Sequence, residues 1–295
     1  MTSLIENVTA RAPIGRATKT VYRGTTKSPR SRLRLPILAG ASLLIALGGA
    51  SCKNINTYSL DDDINLGSQA YAEVTKSDAI ITSGLAYERV QRVTERLIKS
   101  ANEMKPDIAP HFEWEVVVID SPDTINAFCL PGGKMAVYTG ILGVAQGDAG
   151  LAVVMGHEIA HATERHGTER LTRTTLMDSA ITVMLENEDH QAVATVVANF
   201  GIGMPWGRTD ESEADIEGLM ILANAGYDPR EAPKFWERMA AASSGGSASG
   251  NSILAASSID EFMSTHPSNE TRIADLTAAI PAAMPLYEAA NRTNP

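Results

Sequence analysis

Cysteine is almost missing from this chain: there are two, Cys52 and Cys129, among 295 residues. That excludes a framework of several disulfides, and if Cys52 has another use no intramolecular bridge remains possible. Positive charge is equally scarce beyond residue 52. Residues 53–295 carry 17 Lys/Arg against 34 Asp/Glu, whereas residues 1–52 carry eight Lys/Arg against one Glu. An acidic body of this kind argues against nucleic acid as a partner. No internal repeat is visible. Long hydrophobic runs are absent too: Leu35–Ala50 amounts to 16 residues, short of the roughly 20 that a spanning helix needs. What remains, 44% apolar residues in 295, suffices for a real core in one large domain or two small ones.

The short apolar run has a specific setting. Arg30, Arg32 and Arg34 precede it and Gly49-Ala50-Ser51-Cys52 ends it. A basic flank, a short apolar stretch, small residues and then cysteine read as a lipoprotein signal peptide. The expectation is a signal peptide with a long basic leader over residues 1–51, lipid on Cys52 and a mature domain over 52–295, its core about 57–280. Gly49 stands where Leu is usual in such signals, and an uncleaved N-terminal anchor is the alternative.

The chemistry concentrates in His157-Glu158-Ile159-Ala160-His161, inside an apolar, proline-free run from Ala149 to Gly167. The run reads as helix, with Asp148 as N-cap and Gly167 as stop. Residues four apart on a helix lie one above the other, so His157 and His161 point the same way and offer two corners of a tetrahedral zinc site. Glu158, about 100 degrees further round, sits beside the metal as a proton acceptor. The competing reading is two helical histidines satisfied by ordinary hydrogen bonds. A third ligand decides between them. A third histidine six residues on would make a metzincin, but that position is Gly167. A carboxylate from a second helix is the other option. Glu211, Asp215 and Gly218 follow i, i+4, i+7 spacing on one stripe. Glu211 could ligate, Asp215 could hold a histidine's other ring nitrogen, and Gly218 would let two helices approach. A solvated acidic face is the plainer alternative.

Four patches together resemble a known family. Asn126-Ala-Phe-Cys-Leu-Pro-Gly-Gly133, the His157–Gly167 block, Arg208–Gly218 with Ala225-Gly-Tyr-Asp-Pro229, and Thr265-His-Pro-Ser-Asn-Glu-Thr-Arg272 are similar to the M48 zinc metallopeptidases. That family includes the CAAX-processing protease and the HtpX and BepA types, and the likeness is greatest to its bacterial periplasmic members. Cys129 departs from the small aliphatic residue usual there, and Gly150 from a bulkier one. The resemblance implies an α+β, mostly helical, zincin-like domain with a small sheet bordering the active-site helix. It implies one Zn²⁺ per chain on His157, His161 and Glu211, with Asp215 behind them and Glu158 catalytic. It also implies a zinc-dependent endopeptidase acting on unfolded or misassembled envelope proteins in quality control. Lys53, which is not aspartate, favours the periplasmic side of the outer membrane; the alternative is the inner membrane. Gly132, Gly133, Lys134, Met135 and Ala136 would receive extended substrate by strand addition. A lipid-anchored chaperone or assembly factor with a latent peptidase site is a second reading. A purely structural zinc module is disfavoured, since three ligands leave a position open.

Elsewhere, residues 57–76 and 84–103 show helical periodicity, the second burying Leu85, Val90, Val93 and Leu97. Residues 113–120 and 134–139 read as strands, and 126–133 as turn. Residues 170–200 read as helix or loop, with an apolar part over 191–200. Asp228 and Pro229 open a helix reaching Ala242, Ser243–Ser252 reads as a mobile loop, and 265–280 closes the domain. His111 and His190 read as surface residues, and Cys129 as a small core residue in preference to a nucleophile. His166 reads as a helix-end imidazole bonding the last carbonyls. His266 precedes a helix expected to start near Ser268. There it could close the metal's open position, hydrogen-bond an oxyanion, or simply bond nearby backbone.

Overall fold

A computed structural model of the chain describes residues 55–77, 79–185, 206–245, 259, 262–266 and 270–293. All lie in one compact unit, Lys53–Pro295. The expected signal peptide with Cys52, the apolar stretch 191–200 with His190, most of the serine-glycine loop and the helix start near Ser268 lie outside the described residues.

The fold is α+β and mostly helical. In chain order it comprises α1 (Leu60–Ser77), β1 (Ile80–Ile81), α2 (Leu85–Met104), β2 (Glu115–Ile119), β3 (Ala127–Cys129), β4 (Lys134–Tyr138), α3 (Ile141–Ala145), α4 (Asp148–Thr163), α5 (His166–Leu185), α6 (Arg208–Asn224), α7 (Glu231–Gly245) and α8 (Glu270–Thr293). The sheet order is β1-β2-β4-β3. β2 and β4 are parallel, with Val118 opposite Val137, while β3 runs antiparallel to β4, with Phe128 opposite Ala136. Alternation along the strands covers both faces. Val118, Met135 and Val137 join the main core, whereas Ile119, Phe128, Leu130 and Ala136 pack with Ala70 and Tyr71 of α1. The segment read as turn between residues 126 and 133 thus contains the edge strand β3. Only Pro131–Gly133 form a tight turn, with Gly132 at φ 74°. A Cβ there would stand 2.5 Å from Ile64 Cα of α1, so glycine is required for space as well as for backbone angle.

α4 is apolar on all sides and occupies the middle of the domain; every residue from Gly150 to Thr163 is buried. Truncating a side chain such as Met155, fully enclosed, should cost about 2–5 kcal/mol. Its ends differ from the sequence expectation. Gly147 is the N-cap, and Asp148, one residue inside, pairs with Arg92 at 2.7 Å. The stop is Arg165, at φ 59°, and not Gly167, which belongs to α5. A left-handed non-glycine residue costs on the order of 1–2 kcal/mol. Arg165 offsets this by pairing with buried Asp63 at 2.6 Å and donating to the Tyr58 carbonyl.

Two further expectations change. Leu85 is exposed, because it opens α2 ahead of the core, whereas Val90, Val93 and Leu97 are buried. α8 continues through Pro281 and Pro285 to Thr293, its packed residues Leu276 and Ala283 holding it against the core despite two lost backbone donors.

Candidate metal centre

α4 and α6 cross where neither has a side chain. A Cβ on Gly218 would stand 2.8 Å from the His157 nitrogen, and one on Gly156 would stand 3.0 Å from the Gly218 oxygen. That close crossing brings the acidic stripe of α6 onto the histidines of α4. One ligand atom each from His157, His161, Glu211 and His266 lies within 4.8 Å of all the others, and all four residues are buried.

The separations test whether a metal fits. A tetrahedron with bonds of ~2.0–2.1 Å has edges of about 3.3–3.4 Å. His157 Nε2 is 3.1 Å from His161 Nε2 and 3.3 Å from His266 Nδ1. Glu211 Oε1 is 3.2 Å from His161 Nε2 and 2.9 Å from His266 Nδ1. These four separations are the size that the ligands of one small ion take up, and three imidazoles and a carboxylate suit a borderline metal. Burial alone would raise the Glu211 pKa. The fields of His266 and His157, with hydrogen bonds from His161 and His266, outweigh it and hold the carboxylate well below its usual range. Burial also pushes His161 well below its ordinary value, towards the neutral form a ligand needs.

Behind the ligands, His157 Nδ1 lies 2.9 Å from Asp215 Oδ1. Arg272, buried and stacked 3.4 Å over the Trp236 ring, links two carboxylates. Its Nη2 donates to Asp215 Oδ1 at 2.6 Å, and its Nη1 lies 2.9 Å from Glu211 Oε2. Sequence reading left Arg272 inside a patch with no role, since a residue 57 positions from Asp215 shares no periodicity with it. His166 opens α5 instead of bonding the last carbonyls of α4, and its Nδ1 is 3.0 Å from His161 Nδ1.

Glu158 sits against the free edge of β3. Burial pushes its pKa up to about 8 with help from Glu211, while His157, the Cys129 N–H bonded to it and Arg272 pull the other way. Burial likewise pushes the Cys129 thiol well above its ordinary value, which disfavours a thiolate nucleophile. Trp206, also missed in the sequence, stacks on His161 at 4.5 Å. The space lined by Phe128, Cys129, Leu130, Glu158, Trp206 and His266 is about 20 Å³. That admits little more than a water.

The expected substrate strand needs correction. Lys134, Met135 and Ala136 pair with β2 on one side, and Met135 and Ala136 with β3 on the other. Gly132 and Gly133 are buried in the turn under α1. Of the two edge strands among the described residues, β3 is the one beside Glu158, and its outer side has no strand partner there. Leu130 donates to Lys134 and Asn126 accepts from Tyr138, so the alternate residues Ala127 and Cys129 turn their backbone groups away from β4.

A model of peptidase family M48 matches residues 85–280. The mitochondrial metalloendopeptidase OMA1 of Schizosaccharomyces pombe is 33% identical over 283 residues, covering 90% of this chain and 77% of that protein. The Arabidopsis thaliana protein of the same name is 40% identical over 159 residues, covering 54% of this chain and 30% of its own length. The beta-barrel assembly-enhancing protease of Escherichia coli is 26% identical over 231 residues, covering 75% of this chain and 44% of its own length. The metal-sized cluster lies inside the matched segment, and the chain belongs to peptidase family M48 and carries that family's metallopeptidase domain.

Proposed function

We propose that this chain is a zinc-dependent endopeptidase for unfolded or misassembled envelope proteins, held in a closed state by His266. The observation that carries the reading is the convergence of one ligand atom each from His157, His161, Glu211 and His266 within 4.8 Å, beside a buried Glu158. Zinc, when bound, supplies a Lewis acid that acidifies water and polarises the scissile carbonyl. Glu158 takes the water's proton on its carboxylate and passes it to the leaving amine; the Cys129 N–H fixes one carboxylate oxygen for that task. With the Cys129 N–H given to Glu158, the backbone carbonyls on the outer side of β3 remain to align extended substrate, without demanding particular side chains.

His266 blocks this chemistry while its Nδ1 occupies the fourth corner. Its Nε2 then stands 3.5 Å from Glu158 Oε1 and crowds the carboxylate that would take the water's proton. Swinging the imidazole out opens both positions. The small space beside Glu158 also favours the second reading, an assembly factor or chaperone whose peptidase is latent. The names of the Escherichia coli and Vibrio cholerae relatives, which refer to beta-barrel assembly, support an envelope role. Among the described residues no helix is long and apolar enough to cross a membrane. Attachment through lipid on Cys52, at the periplasmic side of the outer membrane, is part of the proposal and rests on the Gly49-Ala50-Ser51-Cys52 pattern after a short apolar run. Cys52→Ser should release the protein or leave it as precursor; normal-length product still on the membrane would defeat the anchor. The central test compares hydrolysis of an unfolded protein by wild type and Glu158→Gln. The variant should keep one zinc per chain and lose activity by about 10²–10⁴-fold. Zinc loss in that variant would remove Glu158 from its role.

A further inference from the structure

The two zinc-facing histidines of α4 are supported differently, and only one support belongs to the expected pattern. His157 turns its Nδ1 to the Asp215 carboxylate. His161 turns its Nδ1 to another imidazole, that of His166, at 3.0 Å. Both rings are buried, with 2% of each residue exposed.

A neutral imidazole carries one proton, so two facing nitrogens at this distance require one ring to donate and the other to accept. His161 Nε2 faces the ligand set, 3.1 Å from His157 Nε2 and 3.2 Å from Glu211 Oε1. A nitrogen that ligates must be bare, so the His161 proton sits on Nδ1. His166 Nδ1 must then be the acceptor, and the His166 proton lies on Nε2. That atom is 3.8 Å from Glu213 Oε2 on α6, an orientation that favours the same tautomer.

This contact depends on a break in the chain. Continued as one helix, a residue five positions after His161 would lie about 140 degrees round the axis, facing elsewhere. Arg165, at φ 59°, ends α4 and starts α5 in a new direction. The first residue of α5 is thereby turned back onto the helix it follows.

We propose that His166 is a positioning residue for the metal centre, whose bare Nδ1 accepts the Nδ1–H of His161 and fixes that ligand's tautomer and ring plane. The inference rests on the zinc reading of the cluster. Losing such a partner typically weakens metal binding by about 10–100-fold. An apolar ring at residue 166 would fill the space and accept nothing. An asparagine there places its amide oxygen close to where Nδ1 stood.

The test measures zinc affinity of the full chain by competition with a chromophoric chelator, for wild type, His166→Asn and His166→Phe. His166→Asn should bind within a few-fold of wild type, and His166→Phe at least tenfold more weakly. Metal-free wild type and His166→Phe should unfold at similar temperatures. Equal affinity in all three chains overturns the inference, as does equal weakening in both variants, which reports packing alone. If His166→Phe does not fold, ring-nitrogen NMR of ¹⁵N-histidine-labelled, zinc-loaded wild type decides. His166 should be bare at Nδ1 and protonated at Nε2; a proton on Nδ1 overturns the inference. Failure of wild type to bind zinc would instead defeat the metal-centre reading, and this one with it.

Discussion

His157, His161 and Glu211 come from two helices that cross glycine to glycine, whereas His266 and Trp206 come from outside that crossing. The first half rests on α4, buried on all sides, and on the glycine-to-glycine crossing with α6. The second half is joined by the Trp206 N–H donating to the Thr265 carbonyl at 2.9 Å and the His266 N–H donating to Phe262 at 2.8 Å. Ring contacts add to it: Trp206 stacks on His161 at 4.5 Å with the Arg170 guanidinium 4.2 Å over its ring, and the buried Phe262 packs on His266 at 4.7 Å. Such ring pairs contribute about 0.5–1.5 kcal/mol each, and a net hydrogen bond about 0.5–1.5 kcal/mol. Several core side chains would have to be displaced to move the first half. On the proposed zinc reading, the difference assigns the permanent holding of the ion to the first half and opening and closing to the second.

The sharpest way to break this division is to remove a ligand from each half. Glu211→Ala should lose zinc and activity together, because the two remaining α4 histidines cannot hold the ion alone. Zinc retained at one per chain in Glu211→Ala, measured by elemental analysis, would show that His266 is a permanent ligand and that the halves are not distinct.

Next in size is the helix crossing. Gly218→Ala forces a Cβ to within 2.8 Å of backbone, so the helices must separate. Overpacking of this kind costs about 1–3 kcal/mol, to be read from denaturant unfolding, with weaker zinc binding beside it. Unchanged stability would mean that the first half is more pliant than its packing implies.

His266→Ala probes the second half. Removing the blocking imidazole should raise peptidase activity severalfold, up to ~10-fold if the closed state is favoured by about 1.4 kcal/mol, and speed zinc loss to a chelator. A fall in kcat of ~10²-fold with zinc content unchanged would assign His266 to the oxyanion instead. Trp206→Ala should act in the same direction but less, about twofold, as one ring contact at the low end of the range would give. Lower activity in Trp206→Ala would recast that ring as a wall of the substrate site.

Much of the first half was legible in the sequence. The pentad and the Glu211–Asp215–Gly218 stripe depend on a helical repeat that any window of a dozen residues displays. The second half was legible only as a named histidine with three candidate roles. Arg272 and Trp206 carried no periodic signal towards the site. The strand error has the same origin. Residues 134–139 look like a strand and are one, but their place between β2 and β3 is a property of the sheet. Three residues, Ala127–Cys129, are too few to show alternation.

By itself the sequence determined that His157 and His161 share a helix face with Glu158 beside them, that an acidic stripe waits on a second helix, and that the chain is α+β. Helix pitch and β-branched runs are local, and local rules need no fold. Tertiary structure alone decided that His266, 109 residues from His157, joins His157, His161 and Glu211, that Arg272 ties Glu211 to Asp215, and that β3 lies at the sheet edge beside Glu158. It also turned His166 back onto His161, through one left-handed residue whose strain is offset by a contact with Asp63, 102 positions earlier. Contacts across such separations are set by which helices pack and which strands pair, and no repeat in the sequence encodes them.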